Sequence, residues 1–389
     1  MNKHNTQSIL KLFLLIVIVF SSDCVQSTTT DSPKLTPALT QTPINTATPR
    51  LTNTPEPIHP KGTLIYSNQR FIYSVNLESK EIKPIYEEKT RAYRLSDITH
   101  INNSIYFMDY SSYHEIFKMD LDGANPQQIS NNQDNHFLWR LSGPHYGNHL
   151  SYTENEMTVI FDLNTKKVVT QLGDRVFSYL WSPNGKTLLY FILDKTNPSK
   201  GTLFEYTIDE NKTNKLLQNV IIELLASSPD GEKILLRMLT EKQWNTFILH
   251  LDSEKMDQIP ISGSAYNFAW SPTGDMIMYE ISDKTPQATS KLIVFNLSNQ
   301  QSTTLQVDKG ILGIMSDDPN FPERSVWSYS PTWSPDAKYL AFFTTPEPDA
   351  LDKRRLVLNI QSIDTGKRLE YELPKLITSN VNTPFWIYP

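Results

Sequence analysis

Cysteine is almost absent: Cys24 is the only one in 389 residues. No intrachain disulfide can form, so the folded part must hold together by burial alone. Long hydrophobic runs are missing too. The longest, Leu12 to Phe20, has nine residues, whereas a helix needs about 20 to cross a bilayer core. A broad basic face is lacking: the formal net charge is -6, and the single basic cluster, Lys353-Arg354-Arg355, directly follows Asp352. That pattern speaks against a nucleic-acid partner. No G-x-S-x-G stretch occurs, which excludes a hydrolase built on a nucleophile elbow.

What is present divides the chain in three. Lys3 and Lys11, the apolar run, and then small polar residues have the layout of a secretory signal peptide over 1–27. Cleavage after Ser27 places Val25 three positions before the bond. An alternative end lies before Cys24, whose flank "FSSDC" resembles the lipidation site of bacterial lipoproteins, although Asp23 departs from the usual small residue. Residues 28–60 are expected to be a disordered linker. Positions 31 to 60 hold seven prolines, seven threonines and no aromatic residue, a composition biased to extended polyproline II that cannot build a core. At ~3.1 Å per residue it could hold a domain on the order of 100 Å from an anchored end.

From 61 to 389 the chain repeats itself. "WSPNGKTLLY" at 181–190 returns as "WSPTGDMIMY" at 270–279, as "WSPDAKYLAF" at 333–342 and, without its tryptophan, as "SSPDGEKILL" at 227–236. Proline presets φ for the first turn position, and glycine accepts positive φ at the third, so each copy reads as a hairpin turn entering a strand of period two. Leu188 and Tyr190 then share one face. A second signal, a strand closing on Leu or Ile before a polar turn, recurs at Leu77, Leu121, Leu163, Ile208, Leu251, Leu297 and Ile363. The intervals stay within 42 to 46 residues except for the last, 66, which contains an insertion. Seven units of four short strands predict an all-β fold, a β-propeller of seven four-stranded blades, with six as the runner-up. "IHPKGTLIY" at 58–66 begins in mid-unit and "NVNTPFWIYP" at 380–389 supplies a lone leading strand. Pairing the two would close the ring and cover its open edges.

The "WSPDG"-like turns, with "DLDGANPQQI" at 120–129, resemble the WD40-like repeats of the TolB propeller family, also found in the propeller domains of dipeptidyl and prolyl oligopeptidases. The resemblance spans 61–389. TolB-type propellers usually have six blades, so TolB's partners are not carried over. Trp181, Trp270 and Trp333 read as packing residues between blades.

In a four-stranded meander the first and third turns share one face of the disc, and the second turn and the connection to the next blade share the other. The Ser-Pro turns thus fall on a short-turn face. The irregular loops 193–201, 282–290, 305–330 and 344–355 fall opposite, where binding is expected. Within the insertion, Asp317, Asp318, Phe321, Glu323 and Trp327 are the candidate recognition residues. Two adjacent carboxylates lack the spaced ligands of a dedicated calcium loop. His145 and His149 are four apart, but Gly147 lies at a hairpin turn, not on a helix, which is the wrong geometry for zinc. The sequence assigns no catalytic residue, metal site or cofactor. The expected protein is a secreted or surface-tethered, monomeric module that binds a protein, peptide or glycan and meets a membrane only through its N-terminus. The alternatives are a secreted propeller enzyme with a pore-centred site, of carbohydrate lyase, hydrolase or lactonase type, and a regulatory propeller without its peptidase.

Overall fold

The computed structural model describes residues 58–68, 70–88, 95–109, 115–130, 138–261, 265–282, 290–305, 313–314, 327–328, 331–344, 356–374 and 384–387. The apolar run, Cys24 and the body of the Thr/Pro-rich linker lie outside them. Residues Glu56–Pro389 form one compact unit.

Seven four-stranded antiparallel sheets follow one another along the chain. Blade one holds Thr63–Ser67, Phe71–Asn76 and Ile82–Glu87; blade two Leu95–Ile101, Ser104–Asp109, Glu115–Asp120 and Gln127–Gln128; blade three Leu138–Ser142, His149–Glu154, Met157–Asp162 and Lys167–Asp174. Blade four holds Val176–Trp181, Thr187–Leu193, Gly201–Thr207 and Lys212–Val220, and blade five Ile222–Ser227, Lys233–Thr240, Gln243–His250 and Met256–Ile259. Blade six holds Ala265–Trp270, Met276–Ser282, Ser290–Asn296 and Ser302–Leu305, and blade seven Thr332–Trp333, Tyr339–Thr344, Val357–Ser362 and Arg368–Glu372. The remaining strand, Phe385–Ile387, is the inner strand of blade one. Thr63 faces Ile387, Leu64 faces Trp386 and Ile65 faces Phe385. The C-terminal closure, and seven blades rather than six, are thus as the repeat implied.

The core is divided among the gaps between blades. Seven apolar clusters each join one blade to the next, from Ile65 and Ile72 with Leu95 and Phe107 between blades one and two to Leu64 and Tyr66 with Phe343 and Leu358 between seven and one. This division explains the period-two reading of the second strands. Leu188 and Tyr190 pack toward blade three, while Leu189 and Phe191 pack toward blade five. Each second strand buries both faces, so it is fully covered only when both neighbouring blades are in place. Trp181, Trp270 and Trp333 are buried in these gaps, the packing role read from the sequence.

The Ser-Pro turn has a physical reason for each residue. Ser182, nearly inaccessible, accepts from Thr187 N through Oγ at 3.0 Å and donates to the Thr187 carbonyl at 3.0 Å. Ser228 does the same with Lys233, and the hydroxyls of Ser271 and Ser334 accept from Met276 and Tyr339 N. The glycines are left-handed, with φ of 69° at Gly185, 75° at Gly231 and 76° at Gly274; in blade seven Ala337 takes 57° in their place. Each glycine also lies against the proline of the preceding blade's turn: Gly185 on Pro144, Gly231 on Pro183, Gly274 on Pro229. Serine closes the turn, and proline and glycine fit successive turns together around the disc.

Candidate functional site at the axial mouth

The first strand of each blade is innermost, and first strands adjoin between blades two and three, four and five, five and six, six and seven, and seven and one. Antiparallel alternation sends the start of every first strand to the long-loop face, and there the ladder is broken repeatedly. Register shifts interrupt the pairing of the first with the second strand in blades two to six. In three of them the third residue of the inner strand is left-handed without being glycine: Asp97 at 46°, Arg140 at 58° and Asn267 at 54°. A bulge re-aims side chains, and non-glycine residues in this region are strained and concentrate where function fixes them.

These residues and their neighbours join the blades at the mouth. Asp97 Oδ2 accepts from the backbone N–H of Arg140 at 2.9 Å, linking blades two and three. The Arg140 guanidinium donates to the carbonyls of Phe177 at 2.6 Å and Val176 at 3.3 Å on blade four, and the Tyr179 hydroxyl donates back to the Arg140 carbonyl. On blade five, Arg237 lies 3.6 Å from Glu223 and donates to the Ala265 carbonyl of blade six at 3.1 Å. Glu280, buried, accepts from Tyr266 Oη at 3.0 Å and Asn267 Nδ2 at 2.7 Å.

The electrostatics follow from this crowding. Loss of bulk water around Glu223 raises its carboxyl above the ordinary range, with Arg237 acting the other way. Burial pushes the Tyr179 phenol up to about 12. Aromatic surface lies beside the charges: the Arg140 guanidinium is 5.5 Å from the Trp139 ring centre and 5.3 Å from that of Tyr179, and Arg237 is 5.3 Å from that of Trp244. Trp139 is 42% exposed, on an innermost strand where a packing tryptophan would be covered. Flat apolar surface, fixed charges and hydrogen-bonding groups on one face of the disc suit a ligand with both an apolar face and polar edges.

Of the residues singled out from the sequence, Asp317, Asp318, Phe321 and Glu323 lie outside the described residues, as does Cys24. Trp327 is described by its backbone, which pairs with Ile314 in a two-stranded ribbon, Gly313–Ile314 with Trp327–Ser328, inserted between blades six and seven. His145 and His149 do not form a pair: His149 Nε2 sits 3.4 Å from Asp162 Oδ2, while the His145 ring lies 5.2 Å from that of His100. Among the described residues no three His, Cys, Asp or Glu side chains are grouped to hold a metal. Asp97, Trp139, Arg140, Glu223, Arg237, Asn267 and Glu280 were missed. One signal was available: Asp97, Arg140 and Asn267 occupy the same place, third in the inner strand, upstream of the turn motif on which the repeats align.

No family profile and no curated protein matches this chain. Solved structures do match in fold. Oligogalacturonate lyase in complex with manganese aligns with a TM-score of 0.56 at 12% identity, over 70% of this chain and 79% of that one. A puromycin-hydrolyzing peptidase of Mycobacterium tuberculosis aligns with a TM-score of 0.56 at 9% identity, over 82% of this chain and 54% of that one. TolB from Acinetobacter baumannii aligns more loosely, with a TM-score of 0.49 at 13% identity over 81% of this chain and 78% of that one. What is shared at these identities is the propeller, the fold implied by the repeats; chemistry sits in sites carried on a fold and does not travel with it.

Proposed function

We propose that the protein is an extracytoplasmic, surface-tethered binding module that receives a protein, peptide or glycan on the long-loop face of its propeller. The observation that carries this reading is Trp139, exposed on an innermost strand and stacked under a guanidinium fixed to the next blade. An exposed indole is a large rigid contact surface. Arg140 and Arg237 spend their donors on neighbouring carbonyls, so they hold the opening in shape and leave the ring faces and Glu223 for the ligand. On this reading the insertion between blades six and seven supplies further contact residues, Asp317, Asp318, Phe321, Glu323 and Trp327. The N-terminal apolar run, with Cys24 as the anchor, and the Thr/Pro-rich segment provide export and reach.

The test is capture from envelope fractions and binding to a glycan array by wild-type protein, by Trp139→Ala and by a deletion of 306–329. Trp139→Ala touches no buried cluster and is expected to fold normally and lose the captured ligand by at least about tenfold, or 1.4 kcal/mol. A ligand set identical for all three proteins would refute the assignment of the face. Fractionation of cells carrying Cys24→Ser separately tests the tether: release of the protein into the soluble fraction is expected.

A further inference from the structure

The short-turn face, opposite the proposed binding surface, carries a cleft of about 650 Å³ between blades five and six. That volume is within the ~300–1,000 Å³ of small-ligand sites. Its apolar lining comes from Ile248 and Ile259 of blade five and Trp270, Phe295 and Leu297 of blade six, and His250, Asp257 and Asp275 stand on its rim.

Trp270 differs from two of its counterparts in the other repeats. The Trp181 indole N–H donates to Ser151 Oγ at 2.9 Å, and that of Trp333 donates to the Ala269 carbonyl at 3.3 Å. The Trp270 N–H is buried and has no acceptor among the described residues. Blade five lacks the hydroxyl that serves Trp181. Ser151 is third in the second strand of blade three; Leu235 is third in the second strand of blade five and packs in the same cluster as Trp270. A buried donor without an acceptor costs about 1–3 kcal/mol. Trp386, its counterpart in blade one, also lacks an acceptor; it lies among Leu64, Tyr66 and Tyr371 between blades seven and one and does not line this cleft.

The rim specifies the acceptor. Asp257 is 3.0 Å from His250 and 2.8 Å from Lys255, Lys233 is 3.4 Å from Asp230, and Asp275 accepts from Ser271 and Thr273. Asp257 and Lys233 are ion-paired, Asp275 is held by two neutral hydroxyls, and an incoming anion would meet both carboxylates. A neutral amide carbonyl avoids both costs. We propose that the cleft between blades five and six binds a short peptide segment, an apolar side chain filling the Ile248–Ile259–Phe295 hollow and a backbone carbonyl accepting the indole proton of Trp270.

The probe is N-acetyl-leucine-N-methylamide, titrated into protein carrying ¹⁵N-labelled tryptophan and followed through the indole N–H resonances. The Trp270 resonance is assigned by its loss in Trp270→Phe. It is expected to move downfield saturably, with that of Trp181 unmoved. Leu297→Phe, which adds bulk to the cleft lining, is expected to weaken this response at least about tenfold, or 1.4 kcal/mol. Leu235→Ser, which supplies the acceptor that Ser151 gives Trp181, is expected to shift the Trp270 resonance before any probe is added and to blunt its response. A Trp270 resonance that stays still, that moves together with all the other indoles, or that responds equally in Leu297→Phe would overturn the proposal. Trp139→Ala leaves this titration unchanged if the two faces act independently, so failure here and failure of the binding face are told apart.

Discussion

Single residues in the turns carry much of the conformational strain. In six of the seven outer turns the left-handed residue lies three positions after the closing Leu or Ile, and five of those six are not glycine: Lys80, Lys166, Asn211, Glu254 and Gln300, with φ between 49° and 62°. Gly366 and, among the others, Asn211 are the residue types suited to it. Glu254→Gly, at an exposed site, is expected to raise stability by roughly 0.5–1 kcal/mol, the relief of left-handed strain exceeding the extra entropy glycine loses; a chemical-denaturation midpoint measures it. Gly185 and Gly231 give the complementary comparison at similar φ. A Cβ on Gly185 would meet the Tyr146 carbonyl at 2.6 Å, whereas one on Gly231 meets nothing closer than 3.6 Å. Gly185→Ala is therefore expected to cost more than Gly231→Ala, by about 1–3 kcal/mol, and equal costs would show that the approach between turns relaxes freely. The Ser-Pro turns were legible in the sequence because serine, proline and glycine each do one local job there. Asp97, Arg140 and Asn267 were not: nothing in those residue types announces a left-handed position inside a strand, and their partners lie on other blades.

Among the strands, the inner one of blade one is the most consequential. Phe385–Ile387 supplies only three residues, yet it places Trp386 in the cluster with blade seven and Phe385 against His100 of blade two, ring centres 4.9 Å apart. Its existence followed from the phase of the repeats, a unit beginning without its leading strand. Its neighbour His100 did not, because a stack between residues of two blades leaves no periodic trace. Burial, with His145 adding to it, pushes His100 down to about 4 from 6.5. The sign follows: the unfolded chain takes up a proton near pH 6.5 that the folded ring refuses until about 4, so stability is full above 6.5 and falls as pH drops through that window. His100→Phe is expected to flatten the profile of denaturation midpoint against pH between 6.5 and 4. The acidic loss from Asp162, Asp230 and Asp275, whose carboxyls are held below 3.8 by hydrogen bonds from their own turns, lies lower and should persist. A slope unchanged in His100→Phe would place the effect elsewhere.

At the scale of the whole molecule, stability is spread over seven similar gaps, and no gap is spanned by neighbouring sequence alone except through its own two blades. Such an arrangement is expected to lose its blades together, so removing 384–389 should lower the denaturation midpoint of the entire domain and expose Thr63–Ser67 as an unpaired edge prone to self-association. Light scattering alongside the melt checks both. Architecture was readable because every blade must solve the same packing problem, and similar residues answer it each time. Function was not, because the mouth uses a different residue type on each blade. The pairing of Leu64 with Trp386 adds a kinetic consequence. Contacts so distant along the polypeptide are the slowest to form, since the whole intervening loop must first be ordered. Amide hydrogens on Leu64 and Ile65 should therefore gain protection from exchange last during refolding, after those at the centres of blades three to five.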